Sequence, residues 1–310
     1  MKVSRKAAAL RGRTKDPVVT LGNFDGIHLG HQLILKKISE RAGRLKTASI
    51  VYTFEPHPLK VVAPHKSPPL IVDKEDKLSL IEAFGVDFLV LARFTREFAS
   101  KHPREFAEEV LVKDLGVREV WVGEGFSFGR GRTGTVEYLE RLGDEFGFSV
   151  CTVAPYKKGG SMVSSSRIRE LVSAGEVKLA AALLGRPYSI KGRVVSGKEI
   201  GKEMGFPTAN LKTTSELVPG DGVYAASATV GEERYKAVVN IGTAPTFGGR
   251  KKAIEVHLLD FKDDIYGSKV RVSFLKRLRD EKHFKTREAL ARQIKKDTER
   301  ARKLLGENFL

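Results

Sequence analysis

Two histidines three residues apart, His28 and His31, stand in the segment LGNFDGIHLGHQ. The segment follows PVVTLG, an apolar run typical of a buried strand, and the apolar spacing after it predicts a helix that begins near Leu29 and ends at Gly43. Residues three apart in a first helical turn point to one side, and the N–H groups of that turn favour bound phosphate. The pattern therefore predicts nucleotidyl transfer, in which fixed donors stabilise the charge that develops on the α-phosphate of a nucleoside triphosphate.

A serine-rich segment, MVSSSRIRELV, precedes another predicted helix. Serine commonly caps a helix, but arginine in the first turn opposes the helix dipole. A bound anion would offset that repulsion, so we interpret the segment as a phosphate site. The residues predicted to hold the β- and γ-phosphates, which leave as pyrophosphate, are Ser164, Ser165, Ser166 and Arg169.

Strand and helix patterns alternate through the first half of the chain, and the strands read as nearly continuous apolar runs. That combination predicts an α/β domain with a doubly wound parallel sheet whose two faces are covered by helices; Asp73 is expected to cap one of these helices. From residue 186 to about 278, short strands punctuated by Gly and Pro predict an antiparallel barrel or sandwich. An amphipathic helix from Thr286 to Leu305 closes the chain. We expect the two domains to span residues 1–184 and 185–310.

The charge of the chain is strongly basic, at +17 for 310 residues. Residues 1–184 carry 29 basic and 22 acidic side chains, and residues 185–310 carry 26 and 16, so both halves attract anions such as nucleotides. The sequence contains no apolar run long enough to cross a bilayer, and its N-terminus lacks the apolar core of a signal peptide. Together with the single cysteine, Cys151, these features predict a cytoplasmic protein without a membrane partner.

Candidate metal ligands and a candidate base lie in the second half. In the segment GKEMGFPTANL, Thr208 and Asn210 offer oxygen atoms on alternate positions, and Mg²⁺ bound to a nucleotide prefers such ligands. In the segment AIEVHLLDF, Glu255 and His257 share one face of a predicted strand, opposite the face that carries Ile254. From the residues alone, a glutamate on an outer strand face is usually a solvated side chain.

Several of these segments resemble a known family. GNFDGIHLGH, TFEPHP and SSSRIR are similar to the adenylyltransferase module of the bacterial bifunctional riboflavin kinase/FAD synthetases, and GKEMGFPTANL, GVYA, NIGTAPTFGG and IEVHLLDF are similar to their kinase module. The resemblance implies a nucleotidyltransferase domain followed by an antiparallel β-barrel kinase domain with a terminal helix. It also implies that riboflavin is phosphorylated by ATP to FMN, and that FMN is then joined to AMP from a second ATP, giving FAD and pyrophosphate.

The resemblance implies roles for particular residues. Glu255 matches the general base that accepts the proton of the ribityl 5′-hydroxyl, and Mg²⁺ is implied as the cofactor, with Thr208 and Asn210 as its ligands. The implied ATP-binding residues beside the histidines are Gly22, Asn23, Phe24, Asp25 and Gly30. The residues expected to hold the flavin ring by stacking and packing are Phe54, His57, Pro58, Phe126 and Phe128. The residues expected to bind nucleotide or flavin in the kinase are Gly201, Lys202, Gly205, Phe206 and Pro207.

Three positions depart from the family pattern: Gly125 replaces an Asp or Asn, Ser166 replaces a threonine, and Lys202 replaces an arginine. Two other functions fit some of the same features. One is a cytidylyltransferase-like enzyme with another phosphorylated substrate, which would have no use for the GFPTAN segment. The other is an RNA-binding protein on a retired nucleotidyltransferase fold, suggested by the basic charge, but the sequence contains no paired aromatic RNA-binding motif. The expected partners are therefore riboflavin, FMN, FAD and ATP, and no nucleic acid.

Overall fold

The computed structural model describes residues 1–196, 206–246, 249–282 and 284–306. The chain divides into two compact units, Met1–Ser164 and Ser165–Leu310. The second unit therefore begins before the predicted domain boundary at residue 185, because the two helices that precede the barrel group with it.

A parallel sheet forms the centre of the first unit, and its strands are Lys2–Ser4 (β1), Val18–Leu21 (β2), Ser49–Glu55 (β3), Phe88–Arg93 (β4), Glu119–Gly123 (β5) and Ser149–Val153 (β6). Their order is β1-β4-β3-β2-β5-β6. The chain thus builds one side of the sheet from β2 to β4 and then returns to place β5 on the other side of β2. The doubly wound sheet predicted from the sequence is confirmed, and only the short edge strand β1 was missed.

Helical segments cover both faces of this sheet: Ala7–Leu10 and Pro64–Lys66 (3-10), Leu29–Leu45 (α1), Pro58–Val62 (α2), Lys74–Glu82 (α3), Arg96–Ala99 (α4), Pro103–Phe106 (α5), Ala107–Leu115 (π), Arg130–Arg132 (3-10) and Val136–Phe146 (α6). Adjacent strand residues point into opposite layers, since Ile50 belongs to one buried cluster and Val51 to the other. Helix α1 passes the predicted end at Gly43 and stops at Lys46, whose left-handed backbone (φ 54°) directs its N–H to the carbonyl of Ala42. A short hairpin, Lys157–Lys158 (β7) and Ser161–Met162 (β8), follows β6.

A closed antiparallel barrel forms the second unit, after the helices Ser165–Ser173 (α7) and Val177–Leu184 (α8). Its strands are Tyr188–Val195 (β9), Ala209–Thr213 (β10), Gly222–Val230 (β11), Glu233–Thr246 (β12), Gly249–Leu258 (β13) and Lys269–Arg279 (β14). Pairing of β9 with β10 closes the ring, which resolves the choice between barrel and sandwich. The final helix, Arg287–Leu305 (α9), is capped by Thr286 and packs Ala301 and Leu305 against barrel residues such as Val223.

Across the residues that the structure describes, no helix is both long and apolar enough to span a membrane.

Candidate active sites

The loop between β2 and α1 lies at the point where the strand order reverses, because β2 pairs with β3 on one side and with β5 on the other. In open parallel sheets, ligands bind at the carboxyl ends of the strands beside such a switch point. The first amide groups of α1 also have no partner within the helix and carry the positive end of its dipole. The fold therefore places the histidine segment where an anionic ligand is expected.

His28 and His31 are in direct contact. His28 is the N-cap of α1, and its Nδ1 accepts a hydrogen bond from the backbone N–H of His31 at 3.3 Å. The two imidazole rings stack, with centroids 3.6 Å apart and planes 16° apart. Gly30 makes room for the pair, since a Cβ at that position would lie 3.2 Å from Cε1 of His28. The structure thus brings the two predicted histidines together, whereas their catalytic role stays a prediction.

Burial lowers the pKa of His31 well below its ordinary value, and the neighbouring His28 and Lys77 lower it further. The imidazole of His31 is therefore uncharged at neutral pH. Its Nδ1 is buried and has no hydrogen-bond partner among the described residues. Leaving a buried polar atom unpaired costs about 1–3 kcal/mol, and such atoms in native proteins call for a functional explanation. An anion bound beside this ring would raise its pKa again.

The loop that carries the histidines contains three residues with positive φ angles. Phe24, Gly26 and Ile27 all adopt left-handed conformations, with φ angles of 48°, 84° and 41°. For the two residues that are not glycine, this costs about 1–3 kcal/mol each, and such strain clusters at functional sites. Their side chains are buried in the core beneath α1, and this packing holds the loop in its strained form.

Asp25 fastens the loop to the segment before α3. Its carboxylate is buried, and Oδ1 and Oδ2 accept hydrogen bonds from the backbone N–H of Ile71 at 3.1 and 3.3 Å. Gly26 lies so close to Ile71 that a Cβ there would be 3.0 Å from Cδ1 of that side chain. Asp25 therefore stabilises the conformation of the loop. Its predicted contact with ATP stays a prediction.

Helix α3, which Asp73 caps as predicted, contributes a lysine beside the histidines that the sequence analysis did not single out. Lys77 is 9% exposed, and burial lowers its pKa to about 8, although the charges of Asp25 and Glu55 act in the opposite direction. Its charge in turn lowers the pKa of His31. The sequence did contain one indication that Lys77 is buried. Lys77 stands four residues before Ile81, which is buried, and this spacing puts both side chains on one helix face.

The remaining predicted ATP residues occupy different positions. Asn23 is exposed, while its backbone carbonyl accepts a hydrogen bond from Oγ1 of Thr53 at 3.2 Å. Gly22 lies over the ring of the buried Phe24, since a Cβ at Gly22 would be 3.1 Å from Cε2 of that ring. In the serine segment, Ser164 ends the first compact unit, and the other residues lie in α7 at the start of the second unit, namely Ser165, Ser166 and Arg169. Their part in binding ATP stays a prediction.

Three of the predicted flavin residues belong to a continuous aromatic cluster of the first unit: Phe54, Phe94, Phe98, Phe106, Phe126 and Phe128. Phe126 stacks on Phe128 with centroids 5.6 Å apart, and Phe54 meets Phe94 edge to face at 5.2 Å. Phe128 is buried, while Phe54 and Phe126 are half-buried, so the last two keep ring surface for a ligand. Phe98 was not predicted from the sequence, and it joins the two parts of the cluster through its contacts with Phe54 and Phe106.

His57 and Pro58 begin the short helix α2, where Nδ1 of His57 accepts a hydrogen bond from the N–H of Leu59 at 3.2 Å. A cleft of about 680 Å³ opens at the ends of β3 and β4. Its walls include Glu55, Pro56 and Phe98, and so reach the aromatic cluster, but the five predicted flavin residues do not line it.

The second candidate site is a row of polar side chains across three strands of the barrel. Glu255 on β13 lies opposite Asn210 on β10 and opposite Asn240 on β12. Residues directly opposite each other in antiparallel strands share a face, with Cβ atoms roughly 4.5–5.5 Å apart. The alternate residues Ile254 and Val256 are buried, which confirms the predicted division of β13 into two faces. Asn240 was not predicted from the sequence, because its position depends on the pairing of β12 with β13.

The segment before β10 folds over the same face of β13. Nδ1 of His257 lies 2.8 Å from the carbonyl oxygen of Pro207, and the ring of Phe206 meets that imidazole edge to face at 5.8 Å. Of the two predicted metal ligands, Asn210 lies directly opposite Glu255. Thr208 is half-buried and lies two residues before it, and its role as a ligand stays a prediction. The other predicted kinase residues lie outside the described residues: Gly201, Lys202 and Gly205.

Comparison with protein families identifies both units. A family model described as FAD synthetase matches residues 11–167, and one described as riboflavin kinase matches residues 184–305. The class defined by fold and site is therefore a nucleotidyltransferase joined to a flavokinase.

Individual relatives agree with this class. The bifunctional riboflavin kinase/FMN adenylyltransferase of Escherichia coli (strain K12) is 38% identical over 290 residues, covering 93% of each chain. The protein of the same name from Pseudomonas fluorescens is 37% identical over 305 residues, covering 98% of each. A crystal structure described as a macrolide-efflux protein from Streptococcus pneumoniae matches with a TM-score of 0.85 and 31% identity, over 96% of this chain and 97% of that one.

This chain belongs to the bifunctional riboflavin kinase/FMN adenylyltransferase family. It is an enzyme of flavin cofactor biosynthesis that uses ATP as co-substrate. The family assignment favours this function over the cytidylyltransferase and RNA-binding alternatives raised by the sequence.

Proposed function

We propose that the two reactions of the family are divided between the two sites described above. The barrel phosphorylates riboflavin to FMN at Glu255, and the α/β unit adenylylates FMN to FAD at His28 and His31. The observation that carries the adenylyl-transfer assignment is the stacked histidine pair at the switch point of the sheet, where the buried Nδ1 of His31 lacks a hydrogen-bond partner in the described part of the chain. We place the functional boundary between residues 184 and 185.

Adenylyl transfer needs positioning and charge stabilisation rather than a covalent enzyme intermediate. A phosphate oxygen of FMN attacks the α-phosphorus of ATP, a new P–O bond forms, and the bond to the bridging oxygen of the β-phosphate breaks. Pyrophosphate leaves with the electron pair. The start of α1 and the imidazoles of His28 and His31 stabilise the charge on the α-phosphate oxygens, while Ser164–Ser166 and Arg169 hold the leaving pyrophosphate.

The flavin ring is held by the aromatic cluster, on the half-buried rings of Phe54 and Phe126. Buried neighbours hold these rings in place, since Phe126 stacks on the buried ring of Phe128. The ring of Phe128 in turn packs closely on Gly134, where a Cβ would lie 2.6 Å from the Phe128 ring. Such a rigid aromatic surface binds a planar ligand by stacking with little loss of side-chain freedom.

Phosphorylation of riboflavin needs a base and a place for magnesium. Glu255 accepts the proton as the ribityl 5′-oxygen attacks the γ-phosphorus of ATP, and ADP leaves. The hydroxyl of Thr208 and the amide oxygen of Asn210 are the hard oxygen ligands that Mg²⁺ prefers, and strand pairing places Asn210 beside Glu255, so the residues fit the ion. When bound, Mg²⁺ neutralises charge on the nucleotide phosphates.

The cellular setting is part of the proposal. The single cysteine suits a reducing compartment such as the cytoplasm, and the positive charge of both halves suits anionic substrates.

The experiment is incubation of the protein with riboflavin, ATP and Mg²⁺, followed by chromatographic separation of the flavins over time. We expect FMN to appear first, followed by FAD together with one pyrophosphate for each FAD formed. EDTA should stop both steps. Steep, salt-dependent binding of RNA without flavin turnover would instead support the RNA-binding alternative.

A further inference from the structure

The reaction scheme proposed above assigns no role to Lys77, whose side chain is buried in the first unit. Lysine is almost never buried without a paired charge, because removing an ammonium group from water is costly unless it is compensated. Lys77 is only 9% exposed, and its Nζ makes no hydrogen bond or ion pair with any of the described residues. The charges of Asp25 and Glu55 compensate this ammonium group in part, and a more highly charged anionic ligand would compensate it further.

The surrounding contacts fix the position of Lys77 beside the histidines. The hydrogen bonds of Asp25 to Ile71 and the close packing of Gly26 on Ile71 tie the histidine loop to the start of α3. Lys77 lies on the core-facing side of that helix, one turn before Ile81, which is buried in the same cluster as Phe24. The charge of Lys77 lowers the pKa of His31, so the ammonium group lies near the histidine site.

We propose that Lys77 binds the phosphate chain of ATP in the adenylyl-transfer site and stabilises the charge on it while AMP is transferred to FMN. This inference rests on the proposed function of that site. Lys77 forms no covalent bond in the step, and its proton stays on Nζ.

The charges around Lys77 support this role. Asp25 and Glu55 raise its pKa, and its own charge acts on the imidazole of His31, but the carboxylate of Asp25 is already engaged by the backbone of Ile71. A triphosphate carries more negative charge than either carboxylate. In a site of low dielectric, a fixed ammonium interacts with that charge far more strongly than it would in water. A bound triphosphate would also raise the pKa of Lys77 above about 8 and keep the group fully charged at neutral pH.

The test compares Lys77→Met and Lys77→Arg with Lys74→Met, a matched substitution on the exposed face of the same helix. FAD formation from supplied FMN, FMN formation from riboflavin, thermal unfolding and the calorimetric affinity for Mg²⁺-pyrophosphate are measured for each. We expect Lys77→Met to reduce FAD formation at least roughly 100-fold and pyrophosphate affinity at least roughly tenfold, with FMN formation within about twofold of wild type. Lys77→Arg should restore part of both losses, and Lys74→Met should resemble wild type.

Three results would overturn the inference. The first is FAD formation by Lys77→Met within about threefold of wild type. The second is a loss of FAD formation with unchanged pyrophosphate affinity, which would mean that Lys77 does not bind the phosphate chain that leaves. The third is an equal loss in Lys74→Met. A wild-type protein that makes FMN but no FAD would refute the proposed function of the α/β unit instead, so the two failures are distinguishable.

Discussion

The two candidate sites are built in opposite ways. In the α/β unit, one loop and the helix start that follows it carry the histidine pair within a short segment, and α3 adds Lys77; burial lowers the pKa values of both His31 and Lys77. In the barrel, Asn210, Asn240 and Glu255 come from three separate strands and meet only through strand pairing. Glu255 there is half-buried.

This difference suits the chemistry that we propose for each site. Transfer at the α-phosphate needs preorganised donors in a site shielded from water, and a helix start offers them in a short segment. Phosphorylation of an alcohol needs a carboxylate that can reach the substrate hydroxyl and accept its proton, and a partly solvated position on the outer face of a barrel provides one. The two sites should therefore be separable by single substitutions.

The largest effect is expected for Glu255→Gln. Loss of the general base should reduce FMN formation from riboflavin by about 10²–10⁴-fold, while FAD formation from supplied FMN stays within about twofold of wild type. The measurement is the initial rate of each step, assayed separately. Glu232→Gln, at an exposed turn, is the matched control. An equal loss of both activities in Glu255→Gln would contradict the division into two sites.

The converse is expected for the double substitution His28→Ala and His31→Ala. Removal of both imidazoles should reduce FAD formation from FMN by about 10²–10³-fold and leave FMN formation unchanged. His65→Ala, at an exposed position, controls for the loss of a histidine. If the double variant still makes FAD at the normal rate, the adenylyl-transfer site lies elsewhere.

A smaller effect concerns the protonation of His31. Burial lowers the pKa of His31 in the free protein, and a bound triphosphate would raise it. At pH values between these two pKa values, binding of ATP should therefore be accompanied by uptake of a proton. Affinity should therefore weaken as pH rises through the range between them, by at most about tenfold per pH unit. NMR titration of the imidazole, with and without a non-hydrolysable ATP analogue, measures both values. If the pKa of His31 in the free protein is not lowered, the expected coupling between its protonation and ATP binding is contradicted.

The smallest effect is expected at Gly125, where the family pattern has Asp or Asn. A Cβ at this position would meet no atom within 4 Å, so a side chain is accommodated without strain. Gly125→Asn should raise the efficiency of FAD formation by about two- to tenfold through an added hydrogen bond to nucleotide or flavin. Gly125→Ala, which adds only the Cβ, should not change it; an identical gain in both variants would point to backbone stiffening instead.

Features that depend on neighbouring residues could be predicted from the sequence, whereas those that depend on distant residues could not. The alternation of strands and helices, the N-cap at Asp73 and the pairing of His28 with His31 all follow from short segments. Lys77 could not be predicted because its position near the histidines depends on the contact of Ile71 with the histidine loop. Asn240 could not be predicted because its position beside Glu255 depends on the pairing of β12 with β13. The strand β10 was also missed. Its residues, Ala209–Thr213, alternate apolar and polar side chains, but five residues are too short a run to distinguish a strand from the loop around it.

The most direct test of the division into two sites is complementation between the Glu255→Gln variant and the His28→Ala, His31→Ala variant. Each is incubated with riboflavin, ATP and Mg²⁺, alone and as an equal mixture, and FAD is quantified. We expect that neither variant alone makes FAD and that the mixture does, because FMN made by the barrel of one variant is used by the α/β unit of the other. A mixture that makes no FAD, although the Glu255→Gln variant converts supplied FMN, would contradict it.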